Sequence, residues 1–393
     1  MSSPSRIQSI DLLRGAVMVI MALDHTRDFF HLGSFFVDPT DLATTTPALF
    51  FTRWITHFCA PVFVFLAGTA AYLHGQRLPD RQTLSRFLWT RGLWLVFLEL
   101  TVIKLAWSFD LTFSLMFLQV IWAIGMAMIF LSALIYLPYR LLVGLGILIV
   151  AGHNLLDAYN VVDGTSPDFL WALIHQQAFL FPWDGFGIFV AYPLLAWTGV
   201  MILGYVFGRL YRADMPAESR HRVLYLMGGG AIVLFVLLRW NNVYGDPAPW
   251  SVQDTATMTV LSFLNCTKYP PSLLFLLMTL GPSLIVLAAT ERARDAVSRR
   301  LIVFGRVPLF YYVTHLYILH LLAFPAVMLQ GRPWTDMVLT LPAFLGGDLA
   351  TYGYSLPVTY LVWAVVVVGL YFPSAWYQDY KRRHRERWWL SYL

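Results

Sequence analysis

Charge is scarce in this chain: Asp, Glu, Lys and Arg make up 12% of its 393 residues, about half the roughly 25% of ordinary soluble domains. A water-soluble globule is thereby excluded, and a content of 58% hydrophobic residues points to an integral membrane protein. Cysteine is nearly absent, and Cys59 and Cys266 are too few for a disulfide framework. With no HExxH motif and no cysteine pair, neither a resident metal nor a permanently bound cofactor is expected. Internal repeats, low-complexity segments and loops long enough to fold as soluble domains are also missing. So are the alternating strands of about 10 residues that build a membrane barrel. The net charge of +5 lies in short loops beside apolar runs, without a recognition motif, which argues against nucleic acid as a partner.

What the sequence has in quantity is long apolar runs. Ten of them, at about 7–31, 49–75, 87–108, 112–137, 140–157, 186–208, 222–242, 268–290, 302–328 and 353–376, suit helices that cross a hydrocarbon core. The expected fold class is an all-α polytopic transmembrane helix bundle, one domain over residues 1–393. Met1 to Gln8 lacks the apolar core and cleavage site of a signal peptide, so the first run reads as a retained span. Lys and Arg set the orientation, because they accumulate on the cytoplasmic side. Most of them share one side with the N-terminus, and the tail 377–393 is basic. Both termini are therefore expected in the cytoplasm, and the lipid host is expected to be the cell (inner) membrane. Arg27, Arg53, Lys104, Arg239, Lys268 and Arg332 do not fit, since they fall in outer halves of spans or outside. Outer connections at about 158–185, 243–267 and 329–352 carry Trp171, Trp183, Asp184, Trp250, Asp254 and Trp334. They read first as interfacial belts, and second as a mouth for a sugar-like acceptor.

Ionisable groups at membrane depth are expensive, and Asp24, His25, Arg27, Asp28 and His31 crowd the outer half of the first run. Asp24, Asp28 and His31 share one helical stripe, with His25 about 100° around from Asp24. Such a concentration exceeds what packing requires and marks a substrate path, a proton relay or a catalytic site. In the second run Arg53 and His57 are one turn apart ahead of Pro61, which predicts a bend beside a cavity. Asp11 and Arg14 can pair at the inner end, and His153 and Asp157 share a helix face. Glu99 with Lys104 reads as a structural pair, His320 as an interhelical hydrogen bond, and Gly204 with Gly208 as a close helix contact.

The segment Arg6-Ile7-Gln8-Ser9-Ile10-Asp11-Leu12-Leu13-Arg14-Gly15 resembles the opening of heparan-α-glucosaminide N-acetyltransferase catalytic-domain-like proteins and, more distantly, of the acyltransferase-3 membrane enzymes. In the latter an Arg-Gly pair precedes a catalytic histidine of the same helix, and here Gly15 precedes His25 by the same interval. His57-Phe58-Cys59-Ala60-Pro61-Val62-Phe63-Val64-Phe65-Leu66-Ala67-Gly68 is similar to the family's second-span motif. Lys268-Tyr269-Pro270-Pro271-Ser272-Leu273 and Gly305-Arg306-Val307-Pro308-Leu309-Phe310-Tyr311-Tyr312-Val313-Thr314-His315 resemble its late-span signatures.

The resemblance implies transfer of an acyl group, acetyl by preference, from cytoplasmic acyl-CoA (acetyl-CoA) to a hydroxyl or amine of an extracytoplasmic, glycan-like acceptor. Acyl-CoA is then a co-substrate, and a homodimer is the assembly the family suggests. Arg14 and Arg306 would bind the CoA phosphates, and His25 or His31 would be the base. The second candidate arises because lysosomal members carry asparagine at the place of His25 and use a histidine beyond the first span. Asp24 or Asp28 would orient the ring, while His57, His315 and Lys268 would stabilise the oxyanion or hold the acceptor. The rival reading is a proton-coupled transporter or permease, since Asp/His chains also relay protons. The chain lacks the repeated halves such proteins favour.

Overall fold

Apolar runs placed in lipid must satisfy their own backbone hydrogen bonds, and helix is the local way to do it. The computed structural model describes residues 7–34, 36–159, 169–384 and 386–391. Arg6 of the first motif, Arg385 of the tail and the middle of the 158–185 connection lie outside the described residues. In chain order the helices are α1 Gln8–Phe30, α2 Pro47–Thr56, α3 Cys59–Gly75, α4 Arg81–Leu98 and α5 Lys104–Ser108, with a π turn, Glu99–Ile103, joining the last two. Strand β1, Leu115–Leu118, leads into α6 Val120–Leu134, α7 Tyr139–Gly152 and α8 Phe169–Ile174. Strands β2 Ala178–Trp183 and β3 Phe186–Val190 precede α9 Leu194–Phe207, α10 Ala217–Asn241, α11 Ala256–Leu264 and α12 Leu273–Ala289. Then come α13 Ala296–Arg306, α14 Pro308–Leu329, α15 Leu341–Gly346 and α16 Leu356–Arg383.

Among the described residues, six stretches can cross a membrane by length and composition: Pro47–Gly75, Tyr139–Leu156, Leu194–Tyr211, Ala217–Asn241, Pro308–Leu329 and Leu356–Arg383. The expected runs differ from the elements in three places. Those at 112–137 and 186–208 begin as strands, because β1 pairs in parallel with β3 and β3 turns back on β2 through Asp184-Gly185. Gly185 takes φ +78°, which glycine adopts freely. The run at 302–328 is split at Val307, where Pro308 disfavours helical backbone in the residue before it. The bend expected near Pro61 is found: α2 stops at Thr56 and α3 starts at Cys59, since Pro61 cannot bond the carbonyl four residues earlier.

Contacts between helix termini sort the bundle into two ends. At one, Arg220 and His221 pair with Glu291, Arg209 covers the Tyr139 ring, Arg81 reaches the Tyr136 carbonyl, and Asp11 meets Arg14 and Arg306. At the other, the end of α1 bridges to the start of α16 through His31 and Tyr354, and Asn154 accepts from the amide of Leu273. Arg239, 1% exposed, is spent there on the carbonyls of Ala248, Ser262, Phe263 and Asn265.

Glu99 and Lys104 do not pair. Glu99 accepts from the Trp122 amide at 3.2 Å, capping α6, while Lys104 donates to the Asp110 carbonyl and carboxylate. His320 does bridge segments: its ring nitrogens meet the carbonyls of Ala106 and Met337 at 2.8 and 2.7 Å.

The seam that fixes α1 is glycine on glycine. A Cβ on Gly15 would lie 1.8 Å from the Leu301 carbonyl oxygen, and one on Gly305 would lie 1.8 Å from that of Asp11. Gly204 of the anticipated pair meets α3 the same way, its Cβ falling 2.0 Å from the Phe65 carbonyl oxygen, whereas Gly208 packs on the Tyr72 side chain. Gly15→Ala is therefore expected to lower stability by about 1–3 kcal/mol through overpacking. Gly144→Ala, whose Cβ meets nothing within 4 Å, serves as control. Thermal unfolding in nanodiscs reads the difference, and equal midpoints for the two variants would refute the seam.

Candidate active site

Three elements bring polar side chains to the C-terminal half of α1. The α2/α3 break delivers Arg53 and His57, the bridged turn from Lys268 to Pro271 delivers Lys268, and α14 delivers His315. Aromatic rings close the space: Trp107 and Tyr312 meet His25 edge-on at 5.0 and 5.9 Å, and Tyr269 lies between Lys268 and Tyr192.

The charges form a paired network. Asp24, with 11% of its side chain exposed, holds Arg53 with one oxygen and Arg27 with the other at 3.2 Å. Arg27, 4% exposed, also donates to Asp28 at 2.6 Å. The expected contact between these carboxylates and an imidazole is therefore not made. Both acids are occupied by guanidinium groups, which offer a stronger, charge-assisted bond. Lys268, 9% exposed, adds a third cation beside two carboxylates.

His25 is oriented instead by another histidine. Its Nδ1 lies 2.7 Å from Nε2 of His315, whose Nδ1 lies 2.9 Å from the Tyr311 carbonyl. A carbonyl only accepts, so Nδ1 of His315 carries a proton and Nε2 of its neutral ring carries a lone pair. His25 must then donate from Nδ1, which leaves a lone pair on its own Nε2. Arranged in this way, the pair presents a base whose tautomer is set by the fold.

The remaining expected residues are dispersed. His57 is 3% exposed, packs on Phe275, and has no hydrogen bond at Nδ1. His31 sits past the end of α1 with Nδ1 3.2 Å from the Tyr354 carbonyl, away from the His25–His315 pair. Arg14 and Arg306 share buried Asp11 at the basic end, at 3.4 and 3.5 Å, and Arg14 also donates to the Gly305 carbonyl at 3.1 Å. Sequence reasoning missed the role of Arg53 as the partner of Asp24 and the rings of Trp107, Tyr192, Tyr269 and Tyr312. A signal for Arg53 was present, since a cation stranded in the wrong half of a span needs a buried acid.

Removing one partner of a buried ion pair strands the other charge. Asp24→Asn is expected to cost about 3–5 kcal/mol, and Arg53→Met combined with it to cost less than the two single changes added together. Denaturation of the four proteins tests this, and strict additivity would contradict the pairing.

A family model described as heparan-alpha-glucosaminide N-acetyltransferase, catalytic, matches residues 6–239, which include Asp24, His25, Arg53 and His57. Lys268, Arg306 and His315 lie beyond the matched part. Among curated proteins none gives a significant match. The matched segment exceeds half of the 393 residues, and the chain belongs to the heparan-alpha-glucosaminide N-acetyltransferase catalytic-domain family.

Proposed function

We propose that this integral membrane protein is an acetyltransferase that moves an acetyl group from cytoplasmic acetyl-CoA to an amine or hydroxyl of a glycan on the other side. The observation that carries the reading is the His25–His315 pair, whose bonding leaves Nε2 of His25 as a free base. An acceptor amine or hydroxyl at Nε2 gives up its proton as it attacks the thioester carbonyl. Negative charge then develops on the carbonyl oxygen, beside a cluster with one more cation than carboxylate, where Lys268 and Arg53 stabilise it. When the tetrahedral species collapses, the CoA thiolate leaves and takes the proton back from His25. Atoms and charge balance without an acyl-enzyme, so direct transfer in a ternary complex is the simplest course.

The donor's route follows from the two ends of α1. Arg14 and Arg306 are partly exposed, 17% and 31% by side chain, and both border Asp11, so phosphate groups can reach them. Eleven residues of helix separate Arg14 from His25, a rise of about 16 Å. A narrow, uncharged pantetheine arm suits that interval. Ten crossings with both termini in the cytoplasm accommodate this arrangement, and the basic end then faces the CoA pool.

Purified protein with labelled acetyl-CoA and glucosamine tests the proposal. His25→Ala is expected to lower turnover about 10²–10⁴-fold with thermal stability retained. His315→Ala is expected to lose less, because it positions the base and does not itself take the proton. A fully active His25→Ala protein would overturn the assignment.

A further inference from the structure

A second group of ligating side chains converges away from the His25–His315 pair. His153 opens the 3₁₀ turn that ends α7, Asp157 follows four residues later, and His175 follows α8. One nitrogen of each ring and one carboxylate oxygen lie within 4.8 Å of one another. His153 is 2% exposed, and neither of its ring nitrogens has a well-aligned hydrogen-bond partner, although the Pro271 backbone lies beside the ring. His175 is 3% exposed and its Nδ1 is likewise unpartnered, while its Nε2 lies 2.9 Å from Oδ1 of Asp157. Buried imidazole nitrogens are seldom left without a partner. Among the described residues no Lys or Arg pairs with Asp157, so its charge has no cation. The other oxygen accepts from Nδ2 of Asn154 at 2.7 Å, the kind of outer bond that orients a ligating carboxylate.

We propose that His153, Asp157 and His175 bind a zinc ion, with a water molecule as fourth ligand. Two neutral imidazoles and a carboxylate are suitable donors for zinc, and three protein ligands plus water is a common zinc set. Zinc–ligand bonds of about 2.0–2.1 Å in a tetrahedron put donor atoms roughly 3.4 Å apart. Small rotations of the two rings close the remaining distance. Zinc takes one nitrogen from each ring, neutralises Asp157 and clamps the end of α7 to α8. Asn154 also accepts from the Leu273 amide at 2.9 Å, which links the clamp to the start of α12 and, through Pro271, to the turn that carries Lys268. The site is therefore a brace for the outer mouth, separate from the base.

The test uses full-length protein in detergent, stripped with chelator and titrated with zinc sulfate. One zinc per chain after desalting, and a thermal midpoint that rises with zinc, are expected. His153→Ala and His175→Ala should each weaken binding at least about tenfold and abolish the rise, while His25→Ala keeps both. Cobalt added to the stripped wild-type protein should give the strong visible absorption of four- or five-coordinate cobalt, a readout that needs no folded variant. Wild-type protein that retains no zinc and leaves cobalt with its weak octahedral spectrum would overturn the site. So would variants that bind as the parent does.

Discussion

The ion pair between Asp24 and Arg53 is the constraint on which the site depends. Charges at this depth are tolerated only when each has a counter-charge and bonded neighbours. Asp24 provides both, joining α1 to α2 through Arg53 and to its own next turn through Arg27. Arg53 and His57 sit one turn apart at the end of α2, just ahead of the break that Pro61 enforces.

Two sets of polar groups then work side by side. The carboxylates and guanidinium groups bond one another and fix the local field, while the imidazoles bond one another and fix where a proton can go. His25 touches the charged set only at a distance, so its tautomer is governed by a neutral chain that ends on the Tyr311 carbonyl. This separation leaves the position of the proton on the His25 ring to the imidazole chain. A carboxylate bonded directly to the ring would instead favour its charged form.

Much of this was legible in the sequence, for reasons that can be named. The crowding of Asp24, His25, Arg27 and Asp28 in an apolar run identified the region, because hydrocarbon makes such groups costly. The bend at His57 followed from Pro61. Which group bonds which did not follow: position along a helix tells that Asp24 and His25 are near, but Arg53 and His315 arrive from 29 and 290 residues away. Glu99 and Lys104 illustrate the same limit, as both partners lie outside the helix on which they were read together. The three-stranded sheet was hidden because β1 and β3 are apolar on both faces and merge with the runs that follow them. The Asp184-Gly185 dipeptide between two aromatic stretches was its one clear local signal.

At the Gly15–Gly305 crossing the main chains of α1 and α13 touch, carbonyl against α-carbon, with no side chain between them. That flank of α1 is a sealed wall. On the proposed route, a slender molecule passing from Arg14 and Arg306 toward His25 follows another face of α1, among those turned to α2, α3, α12, α14 and α16. Backbone packed so closely also resists sliding of α1 against α13, because a shift along the seam brings a side chain to where only glycine fits.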